Sequence, residues 1–205
     1  MTTDNSIGCI HGRFQPFHLE HVEYALEAAK RCRKLFVGIT QFDIRTLNSS
    51  GGSHRSEESS NPFTYRERCE LIGACLVAEK IKLNRFEFVP FPIERHASIP
   101  DFVDAKATFY TTVCEPWNTE KIKKLNDLGL KVEVLWERQT KKFSGQEVRQ
   151  SLIEGNENWK SMVHKAAIPL IENWGIGERL RILATPDTQL LPTDVSNGME
   201  LLSSG

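Results

Sequence analysis

Apolar and polar positions alternate along this chain in short blocks, and the blocks predict alternating strands and helices. Residues 7–10 form a brief apolar run, and residues 22–33 follow with apolar positions at helical spacing. Residues 34–40 are again almost continuously apolar, the pattern of a parallel strand buried on both faces. Thr64 and Glu67 are spaced as a capping box, opening a helix whose buried stripe is Leu71, Ile72, Cys75 and Leu76. Residues 86–90 predict a third strand, and a proline-rich loop follows through Pro92 and Pro100. Residues 105–113, rich in Thr, Phe and Tyr, predict a fourth strand. Residues 117–128 form a basic-faced helix that Gly129 can cap, and residues 131–136 a fifth strand. A last helix of this part runs from Ser144 to Ile153.

This order predicts an α/β fold, a Rossmann-like, doubly wound parallel sheet of five strands with C-terminal helices. The expected division is an α/β domain over 1–155, a helical part of the same domain over 156–184, and an irregular tail over 185–205. Residues 162–174 are the clearest C-terminal helix. The stretch 41–61, polar and with Gly51-Gly52 at its middle, is too long for an ordinary connection. It is expected to be a mobile loop beside the site that orders over bound substrate.

At 205 residues, 40% apolar and a net charge of -1, the chain has the composition of one soluble globular domain. That charge gives no bulk attraction to nucleic acid or membrane, so neither is expected as a partner and any anion must meet a local cationic cluster. The five cysteines are odd in number and contain no Cys-x-x-Cys, which predicts buried, reduced thiols. No leader or membrane-length apolar run is visible, and the expected location is the cytoplasm. Self-association into a homo-oligomer is compatible with the sequence.

The candidate chemistry concentrates in Gly12-Arg13-Phe14-Gln15-Pro16-Phe17-His18-Leu19-Glu20-His21. Strand, tight turn and helix start follow one another here, the place where α/β folds bind phosphates. Gly12 permits close backbone approach, Arg13 pairs with anions, and His18 and His21 share one face of the first helical turn. Such a turn is suited to a polyphosphate. A second helix start, Phe143-Ser144-Gly145-Gln146-Glu147-Val148-Arg149, offers a capping serine and an arginine one turn on. Simple capping is the competing reading for His18 and for Ser144. His-Leu-Glu-His matches no zinc pattern, and no protein-built metal site is expected. His11, His54, His96 and His164 are scattered and are assigned surface or core roles. Neither a dinucleotide-binding glycine fingerprint nor a P-loop occurs.

The first motif resembles the signature of the nucleotidyltransferase superfamily in its nicotinamide-mononucleotide adenylyltransferase branch. The second resembles that family's Ile-Ser-Gly-Thr-x-Ile-Arg element. Asn61-Pro62-Phe63-Thr64 with Glu67-Arg68 resembles a segment of the archaeal-type enzymes, so the likeness spans residues 7–155. It implies transfer of a nucleoside monophosphate from a triphosphate to a small phosphate- or phosphonate-bearing acceptor, with Mg²⁺ bridging phosphate oxygens and pyrophosphate leaving. A phosphomonoester's second pKa is about 6, so the attacking oxygen is already ionised and needs no general base. Catalysis is then alignment plus charge neutralisation. The implied roles are His18 and His21 on the triphosphate, Ser144 and Arg149 on its β,γ-end, and Arg13 near the reacting phosphates. Gly12, Phe14, Gln15, Glu20 and Gly145 would complete the nucleotide and phosphate surface, and Thr40, Arg68 and Trp117 the acceptor side.

Two departures bear on the substrate. The family's His-x-Gly-His carries Glu20 in place of its glycine, and no tryptophan follows Ile99-Pro100-Asp101 before Trp117. With Val37-Gly38-Ile39-Thr40, Phe91-Pro92-Ile93 and Leu135-Trp136-Glu137, the chain is more similar to cytidylyltransferases acting on small phosphonates or phosphates, the phosphonoformate cytidylyltransferase-like enzymes. CTP is therefore expected over ATP. The alternatives are an adenylyltransferase making NAD from ATP, and a nucleotide-sensing domain that binds without turnover.

Overall fold

The computed structural model describes residues 6–43, 58–114, 116–140 and 142–185. Five strands form its centre: β1 Ile7–Gly12, β2 Lys34–Ile39, β3 Phe86–Pro90, β4 Thr108–Val113 and β5 Lys131–Glu137. All pair in parallel in the order β3-β2-β1-β4-β5. The order reverses between β1 and β4, and such a switch point opens a ligand crevice at the strands' carboxyl ends. β1 continues through His11 and Gly12, two residues past its apolar run, because both lie in register with Gly38 and Ile39 of β2. The turn that follows starts flush with the carboxyl edge of the sheet.

Helices α1 Leu19–Lys30, α2 Tyr65–Ala78, α3 Pro116–Asp127, α4 Gly145–Glu154, α5 Ile168–Asn173 and α6 Ile176–Ala184 complete the architecture. Successive strand residues face opposite sides. Ile10, Leu35, Val37, Ile39 and Tyr110 pack in one core with α1, α2, α4 and the C-terminal helices. Cys9, Val89 and Phe109 pack in a second core with Leu125 of α3 and with Ile99 and Val103. Helices on both faces of a parallel sheet make the fold doubly wound, as the sequence pattern predicts.

Three boundaries differ from expectation. β4 begins at Thr108, since Ala107 closes a turn back onto the carbonyl of Asp104. The proline-rich loop winds into 3₁₀ turns over Ile93–Asp101, broken at Arg95. The expected helix over 162–174 is reduced to α5, because Pro169 has no N–H and fits only a first turn. Gly175, at a φ of 61°, then turns the chain into α6. The five cysteines are free, and burial pushes the Cys75 thiol up to about 12. No helix among the described residues is long and apolar enough to cross a membrane. The expected mobile loop falls largely on residues 44–57 and the tail on 186–205, both outside the described residues.

Candidate active site

The turn after β1 is held in an uncommon shape by partners distant in sequence. Phe14 sits at a φ of 52°, the left-handed region. A Cβ on Gly12 would lie 2.8 Å from the Phe14 ring, so glycine is required where the ring folds back over the strand end. The Gln15 amide makes two 2.9 Å hydrogen bonds with the backbone of Phe63, donating to its carbonyl and accepting from its N–H. Arg68 is 1% exposed. It donates to the carbonyls of Arg13 and Thr40 at 2.8 Å each and to that of Gln41 at 2.9 Å. Burial lowers its pKa to about 10. Arg68 therefore ties the turn to the end of β2 and does not offer its guanidinium to an acceptor, which corrects the acceptor-binding expectation. The Gln15 amide is likewise committed to the scaffold, not to a nucleotide.

His18 occupies the N-cap position of α1 with extended backbone. Its ring stacks on that of His21 with centroids 3.8 Å apart, and Phe17 stacks behind His21 at 5.7 Å. His21 Nδ1 accepts a long, 3.4 Å hydrogen bond from the His18 backbone N–H. In its neutral form His21 then carries its proton on Nε2.

The second motif meets the first directly. Ser144 caps α4, accepting from the Glu147 N–H at 3.2 Å while the Glu147 carboxylate accepts from the Ser144 N–H at 2.7 Å. Capping is thus one real role of this serine. A Cβ on Gly145 would come within 2.8 Å of the Gln15 carbonyl oxygen. Arg149, 8% exposed, donates to that same oxygen at 2.6 Å, and burial lowers its pKa. Glu20 accepts from the Lys142 N–H at 2.7 Å, pinning the approach to α4 onto α1.

These groups share one cleft of about 700 Å³ at the switch point. Gly12, Arg13, Phe14, Gln15, His18, Glu20, His21, Thr40, Ser144, Gly145 and Arg149 all line it, and Arg68 does not. Trp117 is the second residue of α3, and its side chain lies outside the described part of the structure. Thr112, Asn118, Lys121 and Arg138, which the sequence did not single out, line it too, as does His11, to which the sequence assigned a surface or core role. For His11 a signal existed: a polar residue between an apolar strand and a catalytic-type turn. For the residues of β4 and α3 only the topology could have supplied it. A larger, more open hollow of about 1280 Å³ lies at the opposite, amino-terminal edge, near Ser6, Lys34 and Arg85, and none of the motifs reaches it. Among the described residues no three His, Cys, Asp or Glu side chains gather to hold a metal.

Two helix starts, those of α1 and α4, converge on one crevice at the switch point of a parallel α/β sheet, where such folds bind ligands. Residues 9–151 match the cytidylyltransferase-like family, and the chain belongs to it. It is 38% identical to phosphonoformate cytidylyltransferase of Streptomyces viridochromogenes, over 85% of this chain and 95% of that protein. It is 27% identical to nicotinamide-nucleotide adenylyltransferase of Methanolobus tindarius, over 86% of this chain and 93% of that protein. The fold resembles a bifunctional NMN adenylyltransferase/ADP ribose pyrophosphatase of Francisella tularensis, with a TM-score of 0.59 at 15% identity. That match covers 86% of this chain and 52% of the bifunctional one, so the chain spans about half its length. The protein is accordingly an enzyme, a nucleotidyltransferase.

Proposed function

We propose that the protein transfers CMP from CTP to a small phosphonate- or phosphate-bearing acceptor. The observation that carries the choice of base is Glu20 on the cleft wall, beside His21, where the adenylyltransferase motif has glycine. One carboxylate oxygen is taken by Lys142, and the other can accept from the exocyclic amine of a pyrimidine. The 38% identity to phosphonoformate cytidylyltransferase, over nearly all of that protein, supports the same reading.

In the reaction an ionised acceptor oxygen attacks the α-phosphorus of CTP, a new P–O bond forms, and the bond to pyrophosphate breaks in line. His18 and His21 hold the triphosphate from the start of α1, where backbone N–H groups add a fixed positive end. Arg149 and the start of α4 face the β,γ-end, and Arg13 neutralises charge on the transferring group. Arg68 acts indirectly, holding the Arg13 carbonyl and thus the turn. Among the described residues the side chains gathered here do not form a metal cage. Mg²⁺ would enter on the triphosphate oxygens, its usual mode, and neutralise the departing pyrophosphate.

Steady-state kinetics with both triphosphates test the proposal. The wild type should favour CTP over ATP by at least about tenfold in kcat/KM, near 1.4 kcal/mol in transition-state binding. Glu20→Gly should narrow or reverse that preference by restoring room for a purine. A wild-type preference for ATP would favour NAD synthesis instead.

A further inference from the structure

β1 and β4 pair through Cys9 and Phe109 and then part. The next residues on the same face of each strand are His11, which lines the cleft, and Thr111, which does not, and β4 is bulged against β5 at Thr111/Thr112. His11 is 4% exposed and Thr111 fully buried. Neither ring nitrogen of His11 nor the Thr111 hydroxyl has a hydrogen-bond partner among the described residues. Buried polar groups left unpaired are destabilising, and a ligand entering the cleft can supply the missing partner. His11 lines the cleft and is held flat on Phe91, with centroids 4.5 Å apart and planes at 12°.

We infer that His11, with Thr111 behind it, binds an ionised oxygen of the acceptor in the half of the cleft under α3. The inference rests on the nucleotidyl-transfer reading above and names the group that reads the second substrate. Burial, and after it the nearby ammonium of Lys121, holds the imidazole's pKa well below its ordinary value. The ring is neutral at neutral pH, with one N–H to donate and one nitrogen to accept. Lys121 and Lys124 line the same half and offset Glu94 and Glu120, so an anionic oxygen can enter there. Donation from a neutral ring fixes that oxygen's position without adding a charge that would draw the triphosphate into the wrong half. The histidine pair and Arg149 serve the other side of the sheet, which keeps the two substrates apart until the acceptor's phosphonate reaches the α-phosphorus.

Two measurements decide the matter. In ¹⁵N-histidine-labelled wild-type protein, the His11 ring nitrogens should shift saturably on titration with phosphonoformate and stay in place with CTP alone. In kinetics, His11→Phe keeps the stack on Phe91 and removes the donor. It should raise KM for phosphonoformate by about tenfold or more and leave KM for CTP within about twofold, the loss expected for one hydrogen bond to a charged group. His11→Gln should recover part of that loss, and Thr111→Val should act in the same direction. Resonances that move only with CTP, or equal changes in both KM values, would overturn the inference. So would failure of phosphonoformate, methylphosphonate and inorganic phosphate alike to move the ring signals. If the wild type turned over no CTP at all, the proposed function would fail, and the titration would still judge His11.

Discussion

His21 shows how a few contacts fix the orientation of a side chain. Its Nδ1 is engaged by the His18 backbone N–H and its faces lie between two rings, so the ring can move little and its Nε2 proton has one direction to serve. Preorganised donors of this kind act in the transition state without reorganisation. His21→Ala should lower kcat by about a hundredfold or more, the usual cost of losing one transition-state contact, with the fold retained. A kcat within about threefold of wild type would remove His21 from the mechanism. Arg68 teaches the opposite lesson. Its residue type suits anion binding as well as that of Arg149 does, and only three-dimensional contacts reveal that its N–H groups are spent on carbonyls.

Between elements, the decisive contact is that of α4 with the turn after β1. Gly145 stands where any side chain would meet the Gln15 carbonyl at 2.8 Å, and this neighbour is backbone, which cannot swing aside. Gly145→Ala should therefore push α4 outward, lengthen the Arg149–Gln15 hydrogen bond, and cost about 1–3 kcal/mol of stability. Urea unfolding and kcat/KM on one preparation check both effects, and an unchanged midpoint would mean the two motifs are not packed this closely. The parts of this arrangement governed by local chemistry were legible in the chain. The capping box of α2, the capping serine of α4, the buried stripe of α2 and the five strands follow from spacing and apolar periodicity over a few residues. The parts that escaped depend on distant partners. β1 runs on through polar His11 because β2 pairs with it, and Gln15 is a brace because Phe63 lies opposite. The helix expected over 162–174 carried a convincing apolar pattern, and one proline outweighed it.

Across the whole molecule, the C-terminal helices brace the site from behind. Arg179 of α6 lies beyond the residues matched to the family, 9–151. It donates to the Pro62 carbonyl at 2.8 Å and forks onto Glu67 at 2.8 and 2.9 Å. Glu67 also accepts from the Thr64 N–H at 2.8 Å, and neighbouring Phe63 is the residue that clasps Gln15. A chain of contacts thus leads from α6 to the turn after β1. Burial alone would raise the Glu67 pKa, but the Arg179 fork and the Thr64 N–H outweigh it and hold the carboxyl below its ordinary value. A depressed carboxylate stabilises the fold fully above its unfolded pKa, about 4.3, and loses that contribution as pH falls through the lower folded value. Wild type should therefore exceed Glu67→Gln by a constant margin from about pH 7 to pH 5, and the margin should shrink below that range. Arg179→Ala should cost about 2 kcal/mol at neutral pH, because it leaves a buried carboxylate with its strongest partner gone. Urea midpoints of the three proteins, measured from pH 7 to pH 3, decide it: parallel pH profiles for wild type and Glu67→Gln would mean that α6 merely covers the site and does not hold it.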